Sequence, residues 1–356
     1  MLILPGLIDP HVHLREPGGT HKEDWYSGTC AALAGGITTV LAMPNTKPPL
    51  VDTDSLALSL NAAAQKAVCD YGVYACGTAA NADTISNLSH LATGLKLYLD
   101  DTYGQLLLDW RDLNSLNSHF ANWHSTRPLV CHAEARSIPA AILLAQLHNR
   151  PVHIAHVSRA SEIACIWAAK EKGLPVTCEV APHHLFLSTI DIPKLGRGRC
   201  EVRPRLATPA DQAALWHALQ AGVIDCIATD HAPHLLSEKD SENPPPGFPS
   251  LDVSLALMLQ AVWDGRLQIG QLVALMADNP RQIFGLPTQP DTYVEVDPEL
   301  RWIVRGADSF SRCKWSPFEG WELRGKVVRV VLRGQLAFEA DQILATAGSG
   351  QWVGAS

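Results

Sequence analysis

The 356-residue sequence has no Cys-x-x-Cys pair, no apolar run long enough to cross a bilayer, and no run of consecutive Lys and Arg. Its nine cysteines are odd in number and mostly sit inside apolar stretches such as Val130-Cys131 and Cys226-Ile227. That is the pattern of reduced, buried thiols in a cytoplasmic protein, and it excludes a disulfide framework. No charged segment followed by a long apolar stretch opens the chain, so a secreted or membrane-bound protein is not expected. With 36 acidic against 28 basic residues the formal net charge is −8, which argues against a nucleic-acid surface. The length suits one large domain with an appendage or two ordinary ones, and a hydrophobic content of 47% is ample for a core.

What the chain does have is alternation. Short apolar runs at 6–14, 38–45, 71–78, 94–99, 128–134, 152–158, 175–181 and 223–230 are separated, in most cases, by Ala/Leu-rich segments of helical length. Those segments include 24–34, 53–68, 137–149, 160–172 and 209–221. Strand and helix alternating eight times is the sequence shape of an α/β protein of the (β/α)8 TIM-barrel class, whose active sites lie at the carboxyl ends of the strands. A Pro-rich loop, Asn243 to Pro249, follows the last run, then helical patterns at 251–264 and 268–278, the second stopped by Asn279-Pro280. From about 288 the chain becomes β-rich with turns. We expect a catalytic barrel over 5–287 that begins directly at its first strand, a small β-rich subdomain over 288–345, and a flexible Gly/Ser/Ala-rich tail or linker over 346–356.

The residues able to bind a metal fall at the ends of the runs. His11 and His13 close the first, and, two apart on a strand, they aim at one face. Lys96 lies in the fourth; His132 and Glu134 close the fifth, His156 the sixth, Glu179 the seventh, and Asp230, His231 and His234 the eighth. Four histidines and an aspartate suit zinc better than magnesium or calcium, and five donors suit two ions better than one. Two zinc ions roughly 3.5–4 Å apart can polarise a carbonyl and bring the pKa of water toward neutrality. Strand alternation sends Leu95, Leu97 and Leu99 toward the helices and Lys96 with Tyr98 into the barrel. A lone buried ammonium beside two cations is untenable, so Lys96 is either a carbamate bridging the ions or a lysine that finds a carboxylate or solvent. His153, three residues from His156, is read as a packed or helix-facing histidine.

Pro5-Gly6-Leu7-Ile8-Asp9 with His11-x-His13-Leu14-Arg15-Glu16-Pro17-Gly18, Met43-Pro44-Asn45-Thr46, Gly94-Leu95-Lys96-Leu97-Tyr98, His132-Ala133-Glu134, Val176 to Leu185, and Asp230-His231-Ala232-Pro233-His234 resemble the dihydroorotases of the amidohydrolase superfamily. Pro244 to Pro249, Asn279-Pro280-Arg281 and Asp291 to Asp297 most resemble the dihydroorotase domain of the multifunctional animal-type pyrimidine-synthesis protein. The resemblance implies a cyclic amide hydrolase that interconverts N-carbamoyl-L-aspartate and L-dihydroorotate. It implies that His11, His13 and Asp230 bind one zinc, His132 and His156 a second, and carboxylated Lys96 both, with Asp230 moving the proton. Arg15, Asn45 and His234 then hold the substrate carboxylate, and Arg203, Pro246, Gly247 and the loop residue Thr102 make further substrate contacts. Tyr103 stands where the family's loop usually carries Phe. Ala155 stands where animal-type domains carry Cys, which disfavours a third zinc and leaves Glu179 as an acceptor that orients a ligand histidine. Hydantoinases and allantoinases share the metals; Arg15, Asn45 and His234 favour a substrate with a free carboxylate. A non-catalytic scaffold would have lost a ligand, and none of the six is missing. A homodimer is expected by resemblance, and the piece could belong to a larger multifunctional polypeptide with other pyrimidine-pathway domains.

Overall fold

The computed structural model describes residues 1–102 and 106–354. After β1 (Leu2–Pro5), the eight apolar runs become β2 (Leu7–Val12), β3 (Ile37–Ala42), β4 (Asp70–Val73) with β5 (Ala75–Cys76), β6 (Leu95–Tyr98), β7 (Leu129–His132), β8 (Val152–Ile154), β9 (Val176–Val180) and β10 (Cys226–Ile227). The third run is split at Tyr74, whose buried hydroxyl donates to the Pro10 carbonyl at 2.8 Å. All these pairings are parallel and form two arcs, one ordered β2-β3-β4 and one β5-β6-β7-β8-β9-β10. The ring closes beyond β10, where Val12 bridges His231 and the His13 N–H donates to the His231 carbonyl at 2.7 Å. This is the expected (β/α)8 barrel.

Helices cover the outside, and their starts are written locally. Asp52 accepts from the Ser55 N–H at 2.8 Å while the Ser55 hydroxyl accepts from the Asp52 N–H at 3.1 Å, a reciprocal cap that begins the helix Thr53–Lys66. The 268–278 pattern does not stop where expected. A π-helical turn at Ala274–Asp278 leads into a further helix, Asn279–Ile283, in whose first turn the missing N–H of Pro280 costs nothing.

Alternation along the strands sorts the side chains. Leu95, Leu97 and Leu99 join the apolar layer between barrel and helices, while Ile8, Leu41, Met43, Val130, Ala155 and Phe284 form a separate buried cluster with Tyr74. Past β10 the chain adds β11 (Tyr293–Ile303), β12 (Glu322–Leu332), β13 (Gln335–Glu339) and β14 (Gln342–Ile343) in an antiparallel sheet ordered β1-β11-β12-β13-β14. The chain therefore does not begin at the barrel: Leu2 pairs with Val296 and Leu4 with Val294, so residues 2–5 belong to the appended sheet. Nor are residues 348–353 a loose tail. Gly348 and Gly350 donate to the Ala67 carbonyl at 3.1 and 2.9 Å, Val353 donates to that of Tyr71 at 2.8 Å, and the Val353 side chain is buried. No helix among the described residues is long and apolar enough to cross a membrane.

Candidate metal centre

Two histidines at the end of β2 present their Nε2 atoms to one carboxylate. The His11 Nδ1–H donates to Glu179 Oε1 and the His13 Nδ1–H donates to Asn45 Oδ1 at 2.7 Å. Those bonds fix both tautomers and leave the Nε2 lone pairs free, 3.3 and 3.0 Å from Asp230 Oδ1. Three buried donor atoms, from His11, His13 and Asp230, thus lie within 4.8 Å of one another. Lone pairs held this close repel unless a cation lies between them, and two imidazoles with a carboxylate are a zinc-type donor set. Burial holds the His13 imidazole near 4, against the pull of Asp230, so it stands as a neutral ligand.

The remaining donors lie on the other arc. His132 and His156 are buried with Nδ1 and Nε2, respectively, 2.9 Å apart, and their other ring nitrogens have no hydrogen-bond partner among the described residues. Lys96 is fully buried, its Nζ also without a partner and 5.3 Å from the centre of the Tyr98 ring. Burial brings the Lys96 ammonium down to about 8, the charges of Glu179 and Asp230 acting the other way. These unpartnered nitrogens fit a second cation and an anionic modification of the lysine; among the described residues only the His11, His13, Asp230 group forms a set of three ligating side chains.

One cavity brings the expected residues together. His11, His13, Lys96, His132, His156 and Asp230 line its floor; Arg15, Asn45, Thr102, Arg203, His234, Pro246 and Gly247 line its mouth. Tyr103 lies outside the described residues. Arg15 Nη2 sits 3.1 Å from His234 Nε2 and Arg15 Nε donates to the Pro233 carbonyl at 3.2 Å. Burial, then Arg15 and Lys22, keep His234 far below its usual pKa and therefore uncharged. Asn45 reaches His13 as well as the cavity, so it orients a ligand besides facing the mouth. Gly247 has φ +143°, and a Cβ there would stand 2.4 Å from the Ala232 carbonyl oxygen, which lets the backbone itself form the wall.

Glu179 lies behind the floor: it holds His11 through Oε1 and accepts from the His153 Nε2–H at 3.1 Å through Oε2. His153 is therefore not helix-facing. β8 ends at Ile154, and His156 takes a left-handed backbone (φ +36°), so strand alternation no longer applies there and both rings point inward. Arg15 (φ +59°) and Asp230 (φ +48°) share that disfavoured geometry, and such strain concentrates at functional sites. Sequence reasoning missed Asp9, whose carboxylate accepts from the His11 and Thr229 N–H groups at 3.1 and 3.2 Å and whose pKa burial raises to about 7. The signal was an acidic residue inside an apolar strand. A larger cavity of about 430 Å³, lined by Trp302, Phe310 and Trp315, contains no group of three ligating side chains among the described residues.

A family model described as the amidohydrolase family matches residues 2–107. The chain is 52% identical to the multifunctional protein CAD of Squalus acanthias over 353 residues, which is 99% of this chain and 16% of that protein. It is 34% identical to the dihydroorotase of Pyrococcus abyssi over 355 residues, 96% of this chain and 85% of that one. Among solved structures, an L-hydantoinase from Arthrobacter aurescens superposes with a TM-score of 0.93 at 25% identity, covering 99% of this chain and 89% of that one. The inactive dihydroorotase-like domain of a Chaetomium thermophilum CAD-like multifunctional protein gives 0.84 at 30% identity, covering 98% of each. Barrel, buried His/His/Asp triad and near-complete alignment with a protein of similar length agree, and this chain belongs to the dihydroorotase family of the amidohydrolases.

Proposed function

We propose that the chain catalyses the reversible hydrolysis of L-dihydroorotate to N-carbamoyl-L-aspartate. The observation that carries this reading is the pairing of a metal-type floor, His11, His13 and Asp230, with a mouth that holds Arg15 beside Asn45 and His234, while Arg203 there is ion-paired with Glu201 at 3.0 Å. A cyclic amide without a carboxylate has no use for a guanidinium so placed. In this reading Arg15 and Asn45 grip the substrate carboxylate, and neutral His234 completes the clamp. Arg203, Thr102 and the backbone at Pro246-Gly247 fix the ring, which sets the scissile amide over the floor. Asp230 is the group that takes a proton from the attacking water and hands it to the ring nitrogen as the C–N bond breaks. In the synthetic direction it accepts the ureido proton as the ring closes and water leaves. His11, His13 and Asp230 would hold one zinc, and His132 and His156 a second, with Lys96 carboxylated between them. Zinc in such a site polarises the amide carbonyl and makes water nucleophilic near neutral pH. Glu179, already committed to His11 and His153, serves as an orienting acceptor and not as a ligand for a third ion.

We further read residues 5–287 as the catalytic barrel, the appended sheet as its support, and the chain as a cytoplasmic homodimer that works beside other pyrimidine-pathway domains. The chain spans 16% of the length of its multifunctional relatives, which supports its place within a larger polypeptide. The test is the loss of ultraviolet absorbance as zinc-replete protein opens dihydroorotate, with hydantoin and allantoin alongside. Turnover of dihydroorotate alone is the expected result. Preference for hydantoin would overturn the carboxylate clamp, and inertness toward all three with zinc bound would make this a non-catalytic domain.

A further inference from the structure

Lys239 ends the short helix Leu236–Lys239, in a Ser-Glu-Lys-Asp stretch whose composition reads as a solvated face. Its side chain is instead fully buried. The ammonium donates to three backbone carbonyls: Glu201 at 2.7 Å, Pro245 at 2.9 Å and Gly247 at 3.2 Å. It lies 5.6 Å from the centre of the Phe248 ring and 5.7 Å from that of Trp315. A lysine has three N–H donors, and all three are used here. Among the described residues no carboxylate lies within ion-pair distance of it, so the ammonium is held in the interior by backbone carbonyls, with burial opposing the charge and the Glu201 carboxylate favouring it from farther off. Burying such a charge is expensive, and what offsets the expense here is the set of three carbonyls that would otherwise lack this donor.

The placement of the acceptors gives that cost a purpose. Glu201 is two residues from Arg203, and Pro245 and Gly247 flank Pro246; Arg203, Pro246 and Gly247 all line the mouth of the cavity. The Gly247 N–H also donates to the Glu201 carbonyl at 3.0 Å, so one carbonyl receives both the loop and the lysine. We infer that Lys239 is a positioning residue that locks the Glu201–Arg203 and Pro245–Gly247 segments against each other and presets the groups that receive the substrate. This rests on the dihydroorotase reading for what the mouth receives, but not for the locking itself.

Two measurements on the full chain, wild type against Lys239→Met, separate the two. In steady-state kinetics KM for dihydroorotate should rise about tenfold or more while kcat stays within about threefold and bound zinc is unchanged, because the floor is untouched. In hydrogen exchange the Gly247 amide should lose about tenfold or more of its protection, while amides of β7 keep theirs. A folded variant with unchanged KM and unchanged Gly247 exchange overturns the inference, and so does one in which kcat and zinc fall while KM holds. If Lys239→Met does not fold, Lys239→Gln, which keeps two N–H donors, should show smaller shifts of both readouts in the same direction; no shift in either overturns the inference. A wild-type protein inert toward dihydroorotate removes the substrate reading alone, and Gly247 exchange then decides the locking by itself.

Discussion

β2 gives Ile8 to an apolar cluster and His11 to the metal centre, and the same contrast recurs around the barrel. In the apolar cluster Ile8, Leu41, Met43, Val130 and Phe284 close on one another with almost no exposed surface. At the carboxyl ends Lys96, His132 and His156 are as deeply buried, yet each keeps a polar atom with no hydrogen-bond partner among the described residues, His132 Nε2 lying 3.6 Å from Glu134 Oε1. Packing satisfies one region with apolar contacts and leaves polar atoms in the other that the proposed metal centre would use. The two should therefore respond oppositely to substitution, one losing stability and the other losing chemistry.

The largest effect is expected at Asp230. Asp230→Ala should lower kcat for dihydroorotate by at least about a thousandfold while circular dichroism shows a folded protein. Leu41→Ala should do the reverse, costing about 2–5 kcal/mol in denaturant unfolding while the folded enzyme keeps its zinc and a kcat within about twofold. Lys96→Met sharpens the contrast. Without metal it should unfold no more easily than wild type, and up to about 1–4 kcal/mol less easily, because a buried amine is replaced by a packed thioether. The same variant should bind less zinc by elemental analysis; full zinc and full activity would remove Lys96 from the centre.

The smallest effect is a matter of pH. The Asp9 carboxyl titrates near 7 in the fold against 3.8 ordinarily, so the folded state binds its proton more tightly than the unfolded chain. The stability this lends is fully present below about 4 and is lost as pH rises through about 7. In metal-free Asp9→Asn the fall in melting temperature across that window should be shallower than in wild type; equal slopes would assign it elsewhere.

Much of this was legible in the sequence because alternation is a strong constraint. Leu95-Lys96-Leu97-Tyr98 can satisfy a barrel in only one way, and the donors stand at the ends of the apolar runs in the sequence itself. Legibility failed where backbone did what side chains usually do. His156 turns inward through a left-handed residue, so parity could not tell a packed from a helix-facing His153, and the packed alternative is the one that holds. Residues 348–353 look like a linker because Gly and Ser carry no packing signal, yet their N–H groups find Ala67 and Tyr71. Leu2 to Leu4 run into the next apolar stretch with only Pro5-Gly6 between, which hid the change from one sheet to another. Lys239 was invisible for the same reason: its partners are carbonyls, which every residue has.

The barrel is not one continuous hoop. It is an arc of three strands and an arc of six, meeting at Tyr74 and again beyond β10. His11 and His13 ride on the short arc, while Lys96, His132, His156 and Asp230 ride on the long one and its extension. An ion gripped by both is a rivet through a seam. With such an ion, ring closure and metal affinity would be one equilibrium: whatever pries the arcs apart would weaken the grip, and stripping the ion would loosen the seam that His11 and His13 share with Asp230.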